Sequence, residues 1–179
     1  MCLMCNEAAR EEFFHNLHLQ IESQGFAIIP VGTRIENRGW GYTIGLVEYT
    51  DHPELVVAGC PLVRAVDTLG ELGAAVIAGD RLDIPGDHMV FRCAEIGARP
   101  VHERHLDEGL IRSWQPYYDS VGRYDLTPRA LQIVLPDDGR CFRCQTTQPR
   151  LDQSHRTPFD GLSRQQRRAH PAAGRRRET

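Results

Sequence analysis

Residues 40–58 read Trp40-Gly41-Tyr42-Thr43-Ile44-Gly45-Leu46-Val47-Glu48-Tyr49-Thr50-Asp51-His52-Pro53-Glu54-Leu55-Val56-Val57-Ala58. Trp40, Tyr42, Ile44 and Leu46 alternate with Gly41, Thr43 and Gly45, a period of two that predicts a strand. His52-Pro53 marks a turn, and Leu55 to Ala58 reads as a further strand. Just upstream, Phe26-Ala27-Ile28-Ile29 is an apolar run of strand type, with Pro30 at its end or marking a sheet edge. Asn37-Arg38-Gly39 supplies the turn between them. Three strands joined by short turns predict a mostly antiparallel sheet.

Helical periods flank this core. Asn6 is a candidate N-cap for a helix whose apolar stripe runs through Phe14, Leu17 and Ile21, with Gly25 as its C-terminal cap. Pro61 opens a second helix, with Leu62, Val66, Leu69, Gly73 and Val76 on one face and Gly79 closing it. Pro85-Gly86-Asp87 precedes a strand at about 88–96, and a Pro-interrupted helical region lies around 106–121. A last strand, Leu131 to Leu135, runs into the turn Pro136-Asp137-Asp138-Gly139 and delivers the chain to Cys141. The fold class is therefore α+β: a mostly antiparallel sheet with two main helices packed on it.

Composition narrows the chemistry. The chain has 179 residues, 41% hydrophobic and 25% charged, a length suited to one domain of roughly 100–150 residues with an extension. No run approaches the ~18 consecutive apolar residues that span a bilayer, and no basic-then-apolar leader opens the sequence, so a cytoplasmic protein with no membrane partner is expected. All 21 basic residues are arginine. Without lysine there is neither a Walker-A loop nor a pyridoxal Schiff base, and the arginine bias fits a GC-rich bacterial genome. Residues 1–144 carry 13 arginines against 21 acids, whereas 145–179 carry 8 against 3. The first stretch is read as a single α+β domain. The second, poor in large apolar residues, is read as a flexible Arg-rich tail, a candidate contact for nucleic acid, the ribosome or a protein partner.

The cysteines give the sharpest chemical signal. Cys2-x-x-Cys5 and Cys141-x-x-Cys144 bracket the domain, and two such pairs supply the four thiolates of a closed, structural Zn²⁺ site. A mixed site using His15, His18 or His155, or two separate redox pairs, are the rival readings. Cys60 and Cys93 stand alone in apolar surroundings and read as small core residues.

A second constellation is the polar crowding within residues 40–58. Two glycines inside a strand weaken it unless another group must approach closely. Trp40 and Tyr42 with Glu48, His52 and Glu54 are the candidates for an acid–base pocket, completed by His88, His102 or His105. Tyr42, Glu48, His52 and Glu54 are its catalytic candidates. The alternative is that these positions simply pack the core. His102-Glu103-Arg104-His105 is not a His-Glu-x-x-His metalloprotease motif, and no Gly-x-Gly-x-x-Gly follows a strand.

Taken together, the N-terminal Cys-x-x-Cys, Trp40-x-Tyr42-Thr43-x-Gly45-Leu46-x-Glu48, His52-Pro53-Glu54-Leu55 and Pro136-Asp137-x-Gly139-Arg140 resemble an actinobacterial family catalogued as a domain of unknown function. The resemblance covers roughly residues 1–140. It implies that Trp40, Tyr42, Thr43, Gly45, Leu46, Glu48, His52, Pro53 and Glu54 belong to a shared site or core, and it brings no reaction. After Arg140 this chain has Cys141-Phe142-Arg143-Cys144 where the family pattern has Pro-Trp, so a zinc clip would belong to this branch.

Overall fold

A computed structural model describes residues 7–33, 38–82, 88–91, 94–135 and 151. In chain order its elements are α1 (Glu7–Gln24), β1 (Ala27–Thr33), β2 (Arg38–Ile44), α2 (Leu46–Thr50), β3 (Glu54–Ala58), α3 (Leu62–Ile77), β4 (His88–Phe91), β5 (Ala94–Pro100), α4 (Glu103–Asp107), α5 (Trp114–Ser120) and β6 (Ala130–Val134). One six-stranded sheet has the order β1-β2-β3-β6-β5-β4. Every pairing is antiparallel except β3 with β6, which is parallel. The fold is α+β as the sequence predicts.

Two departures have simple causes. The single strand expected at 88–96 is a hairpin, β4 pairing with β5 from His88↔Gly97 to Phe91↔Ala94. No glycine, proline or asparagine punctuates the reversal, so nothing in the local sequence announces it. Leu46, expected to end a strand, instead opens the short helix α2, because Gly45 leaves the strand with φ 120°. Pro30 lies inside β1, an edge strand, where it has no further neighbour to bond.

The sheet buries both faces. On one, Phe26, Leu55, Val57, Leu131 and Ile133 pack with Ala65, Leu69, Leu72 and Val76 of α3. Leu69, Gly73 and Val76 of the predicted stripe are buried, and Ala65 and Leu72 complete it in place of Leu62 and Val66. On the other face, Ala27, Ile29, Val31, Trp40, Tyr42, Ile44 and Val56 meet Phe14, Leu17 and Ile21 of α1 and Trp114, Tyr117 and Tyr118 of α5. The predicted helix over 106–121 is two short helices, with Leu110 and Ile111 buried between them.

Leu151, beyond the boundary expected at Cys144, is fully buried in this second cluster. Its N–H donates to Gln132 Oε1 at 2.9 Å and its carbonyl accepts from His102 N–H at 2.8 Å. The folded body therefore includes Leu151. Among the described residues no helix is long and apolar enough to cross a membrane.

Two glycines of α3 make a test of this packing. A Cβ on Gly73 would stand 2.4 Å from Phe26 Cε2, whereas on Gly70 it would meet only Ile28 Cδ1 at 3.7 Å. Gly73→Ala should cost about 1–3 kcal/mol through overpacking. Gly70→Ala should gain about 0.5–1 kcal/mol by lowering the entropy of the unfolded chain. Urea denaturation of the two variants checks the opposite signs.

Candidate functional site

The residues singled out in 40–58 converge, but on one another. β2 ends just before Gly45, where an added Cβ would lie 2.7 Å from Gly25 O and 2.9 Å from Phe26 Cα, so only glycine fits. Because Gly45 is also the N-cap of α2, that helix has no side chain at its own cap to satisfy its first N–H groups. Glu54, the first residue of β3, serves instead. Its Oε1 accepts from Gly45 N–H at 2.9 Å and from Val47 N–H at 3.5 Å, and its Oε2 accepts from the Thr43 hydroxyl at 2.7 Å. Thr43 Oγ1 in turn accepts from Leu55 N–H at 2.8 Å. Thr43 and Glu54 are both fully buried. Burial pushes the Glu54 carboxyl above the usual glutamate range, and its hydrogen bonds from Thr43, Gly45, Val47 and Leu46 only partly offset that.

The other candidates are equally committed. Trp40 donates its indole N–H to Leu110 O at 2.9 Å, and the Tyr42 hydroxyl accepts from Ser113 N–H at 3.1 Å. Burial raises the Tyr42 hydroxyl above its ordinary value. His52 is fully buried. Its Nδ1 lies 2.7 Å from Pro53 O and its Nε2 accepts from Leu82 N–H at 3.1 Å, which defines a neutral ring protonated at Nδ1. Glu48, part-exposed, pairs with Arg123 Nη1 at 2.5 Å. Asp51, at φ 53°, pairs with Arg129.

The expected acid–base pocket is thus corrected. Tyr42, His52 and Glu54 have no exposed surface, and their polar atoms are held by backbone and by Thr43, a structural arrangement. Gly41 makes room for Leu69 of α3, whose Cδ1 would lie 2.8 Å from an added Cβ, so the group that approaches closely is an aliphatic side chain of the core. His102 caps α4 by accepting from Arg104 N–H at 3.2 Å, and His105 is buried. The side chain of His88 lies outside the described residues.

Sequence reasoning missed the aromatic cluster of α5. Trp114 and Tyr118 pack at a tilt of 56° with ring centroids 4.6 Å apart, and Tyr117 meets Tyr118 edge-on at 5.1 Å. Trp114 Nε1 and the Tyr118 hydroxyl are buried without a hydrogen-bond partner among the described residues. Burial, then the charges of Glu54 and Glu48, pushes the Tyr118 hydroxyl upward. The spacing Trp114-x-x-Tyr117-Tyr118 was the available signal, since these positions share one helical face.

The described surface concavity lies elsewhere. Between α1 and α5 an open groove of about 730 Å³ is lined by Phe14, Pro116 and Val121, with Arg10, Glu11, His15, His18, Asp119 and Ser120 around them. His18 Nδ1 lies 3.2 Å from the Tyr117 hydroxyl, and its Nε2 lies 3.4 Å from Glu22. Among the described residues no cluster of three or more His, Cys, Asp or Glu suited to a metal occurs. Cys60 is buried with its thiol 3.6 Å from Pro61 O. Cys2, Cys5, Cys93, Cys141, Cys144 and His155 lie outside the described residues.

Residues 20–147 match the family described as Domain of unknown function (DUF4262), and the chain belongs to that family. The match takes in the Trp40–Glu54 signature, Cys141 and Cys144, and begins after Cys2 and Cys5. No curated protein and no solved structure matches the chain.

The Glu54 clamp carries a pH signature. A carboxyl whose pKa is raised by folding adds stability below the ordinary glutamate pKa, and this is lost as pH rises through the folded-state value. Glu54→Gln should therefore flatten the part of the decline in stability that begins near pH ~4.5. Glu54→Ala, which strands Gly45 N–H and the Thr43 hydroxyl, should cost about 2–4 kcal/mol. Denaturation profiles of both variants between mildly acidic and neutral pH check these signs.

Proposed function

We propose that the protein is a binding module whose body is stapled by a structural zinc ion, and that it performs no chemistry at the metal. Cys2, Cys5, Cys141 and Cys144 would complete a tetrahedral thiolate shell with no open position for substrate. The observation that carries this reading is the burial of Leu151 in the same cluster as Phe14. Leu151 lies on the face covered by α1, and in the sequence each cysteine pair is a short step from that face. Cys5 precedes α1 by two residues, and Cys144 precedes Leu151 by seven, a reach of up to about 25 Å. An ion shared by the two pairs would close a loop of nearly the whole domain, where a cross-link stabilises most.

The binding function is supported by what the core residues do. With Trp40, Tyr42, His52 and Glu54 occupied in holding the fold, recognition falls to the surface, and the groove between α1 and α5 has the size of an ordinary ligand cleft. It combines an apolar floor with a charged rim.

Metal analysis of the purified chain should give one zinc per chain, and a double Cys141→Ser/Cys144→Ser variant should give none. Chelation should lower the thermal midpoint of the wild-type chain and leave that variant unchanged. A fully folded, metal-free wild-type chain would end the reading.

A further inference from the structure

The groove between α1 and α5 has unspent charge. Arg10, Glu11 and His15 pair with nothing among the described residues, and there the Asp119 carboxylate accepts only from Gln115, at 2.8 Å. α1 carries four glutamates, Glu7, Glu11, Glu12 and Glu22, against Arg10 alone. Asp119 adds to them from the opposite wall. Beneath this face the Tyr117 hydroxyl is pushed up to about 12, by burial first and then by Glu48, Tyr49 and Glu22. The floor, in contrast, is apolar, and Val121 is 36% exposed on it.

A segment of complementary chemistry is tethered beside it. The chain continues past Leu151 for 28 residues, which hold seven arginines against three acids. Its only large apolar residues are Phe159 and Leu162, three apart and so able to share one face of a helical turn. Arg156 precedes them, and Arg164, Arg167 and Arg168 follow. Leu151 is buried in the same cluster as Phe14, which lines the groove, so the segment is tethered from a residue close to it. Phe159 is eight residues further on, within about 28 Å. A short tether of this kind gives an effective concentration on the order of millimolar, enough for a contact of modest intrinsic affinity to form.

We propose that the groove is a docking site for the chain's own segment 156–168, with Phe159 and Leu162 on the apolar floor and the arginines against Glu11 and Asp119. Docked in this way, the segment withholds its arginines from phosphate backbones and covers the surface that a partner would use. A competing basic, apolar-anchored peptide would have to displace it. This rests on reading the groove as a contact surface, but not on the zinc clip.

The test uses the full chain with two sets of exposed substitutions. Backbone amide spectra of wild type and of Phe159→Asp/Leu162→Asp should differ at residues 10–18 and 116–121 as well as around the substitutions. The same α1 and α5 signals should move in wild type when salt is raised to ~1 M, where screening acts within about 3 Å. Glu11→Arg/Asp119→Arg should make trypsin cleave at Arg164, Arg167 and Arg168 several-fold faster than in wild type. Unchanged α1 and α5 signals in the Phe159/Leu162 variant, with equal cleavage rates, would overturn the docking. Because that variant leaves the groove intact, such a result would reject the tail as occupant without touching the groove as a surface. Shifts that appear only as protein concentration rises would place the tail of a second copy in the groove and would equally overturn the intramolecular contact.

Discussion

The side chain of Glu54 joins three pieces of backbone that would otherwise have no common partner. β2 must stop at Gly45, because the carbonyl of Gly25 and the backbone of Phe26 leave no space for a Cβ there. That constraint removes any side-chain cap from α2, and the buried N–H groups of Gly45 and Val47 need an acceptor. A carboxylate arriving from the next strand supplies two oxygens, one for these N–H groups and one for Thr43. The helix N-terminus favours negative charge and the burial disfavours it. Burial wins, which is why the Glu54 pKa is raised in spite of its donors.

Seen in this way, the signature spanning Trp40 to Glu54 is a folding device. Its polar residues converge in the sequence as catalytic residues do, since a buried polar group must find partners whether or not a substrate is present. The alternating pattern, the turn at His52-Pro53 and the α+β class were legible because they depend on local periodicity. What the polar groups faced was not legible, because the partners lie far along the chain: Ser113 for Tyr42, Leu110 for Trp40, Leu82 for His52. Spacing alone cannot distinguish a histidine open to a cavity from one whose two nitrogens are both bonded to backbone.

The same logic separates the parts of the fold that could be read from those that could not. α1 and α3 were visible as long apolar stripes. The parallel pairing of β3 with β6 was hidden, since it joins strands more than seventy residues apart across three helices and a hairpin. The β4–β5 reversal lacked turn residues. Leu151 was assigned to the tail on composition, a property averaged over a stretch, whereas its burial depends on one side chain and on two hydrogen bonds to Gln132 and His102.

The two faces of the sheet are closed by different means, and this bears on where recognition occurs. α3 covers one face with the apolar side chains of Ala65, Leu69, Leu72 and Val76. On the other, the short helices α4 and α5 are too brief to be stable by themselves, and the signature residues hold their backbone down: Trp40 bonds to the carbonyl of Leu110, and Tyr42 to the N–H of Ser113 at the start of α5. Once α5 is anchored there, Tyr117 packs against Phe14 with ring centroids 6.5 Å apart and sets the spacing between α5 and α1. The groove follows from that spacing. On the proposed reading, then, the residues that look like a site in the sequence support one built a layer further out, by Phe14, Pro116, Asp119 and Val121. A substitution at Tyr42 would act on binding through the position of α5, without the hydroxyl ever touching a ligand.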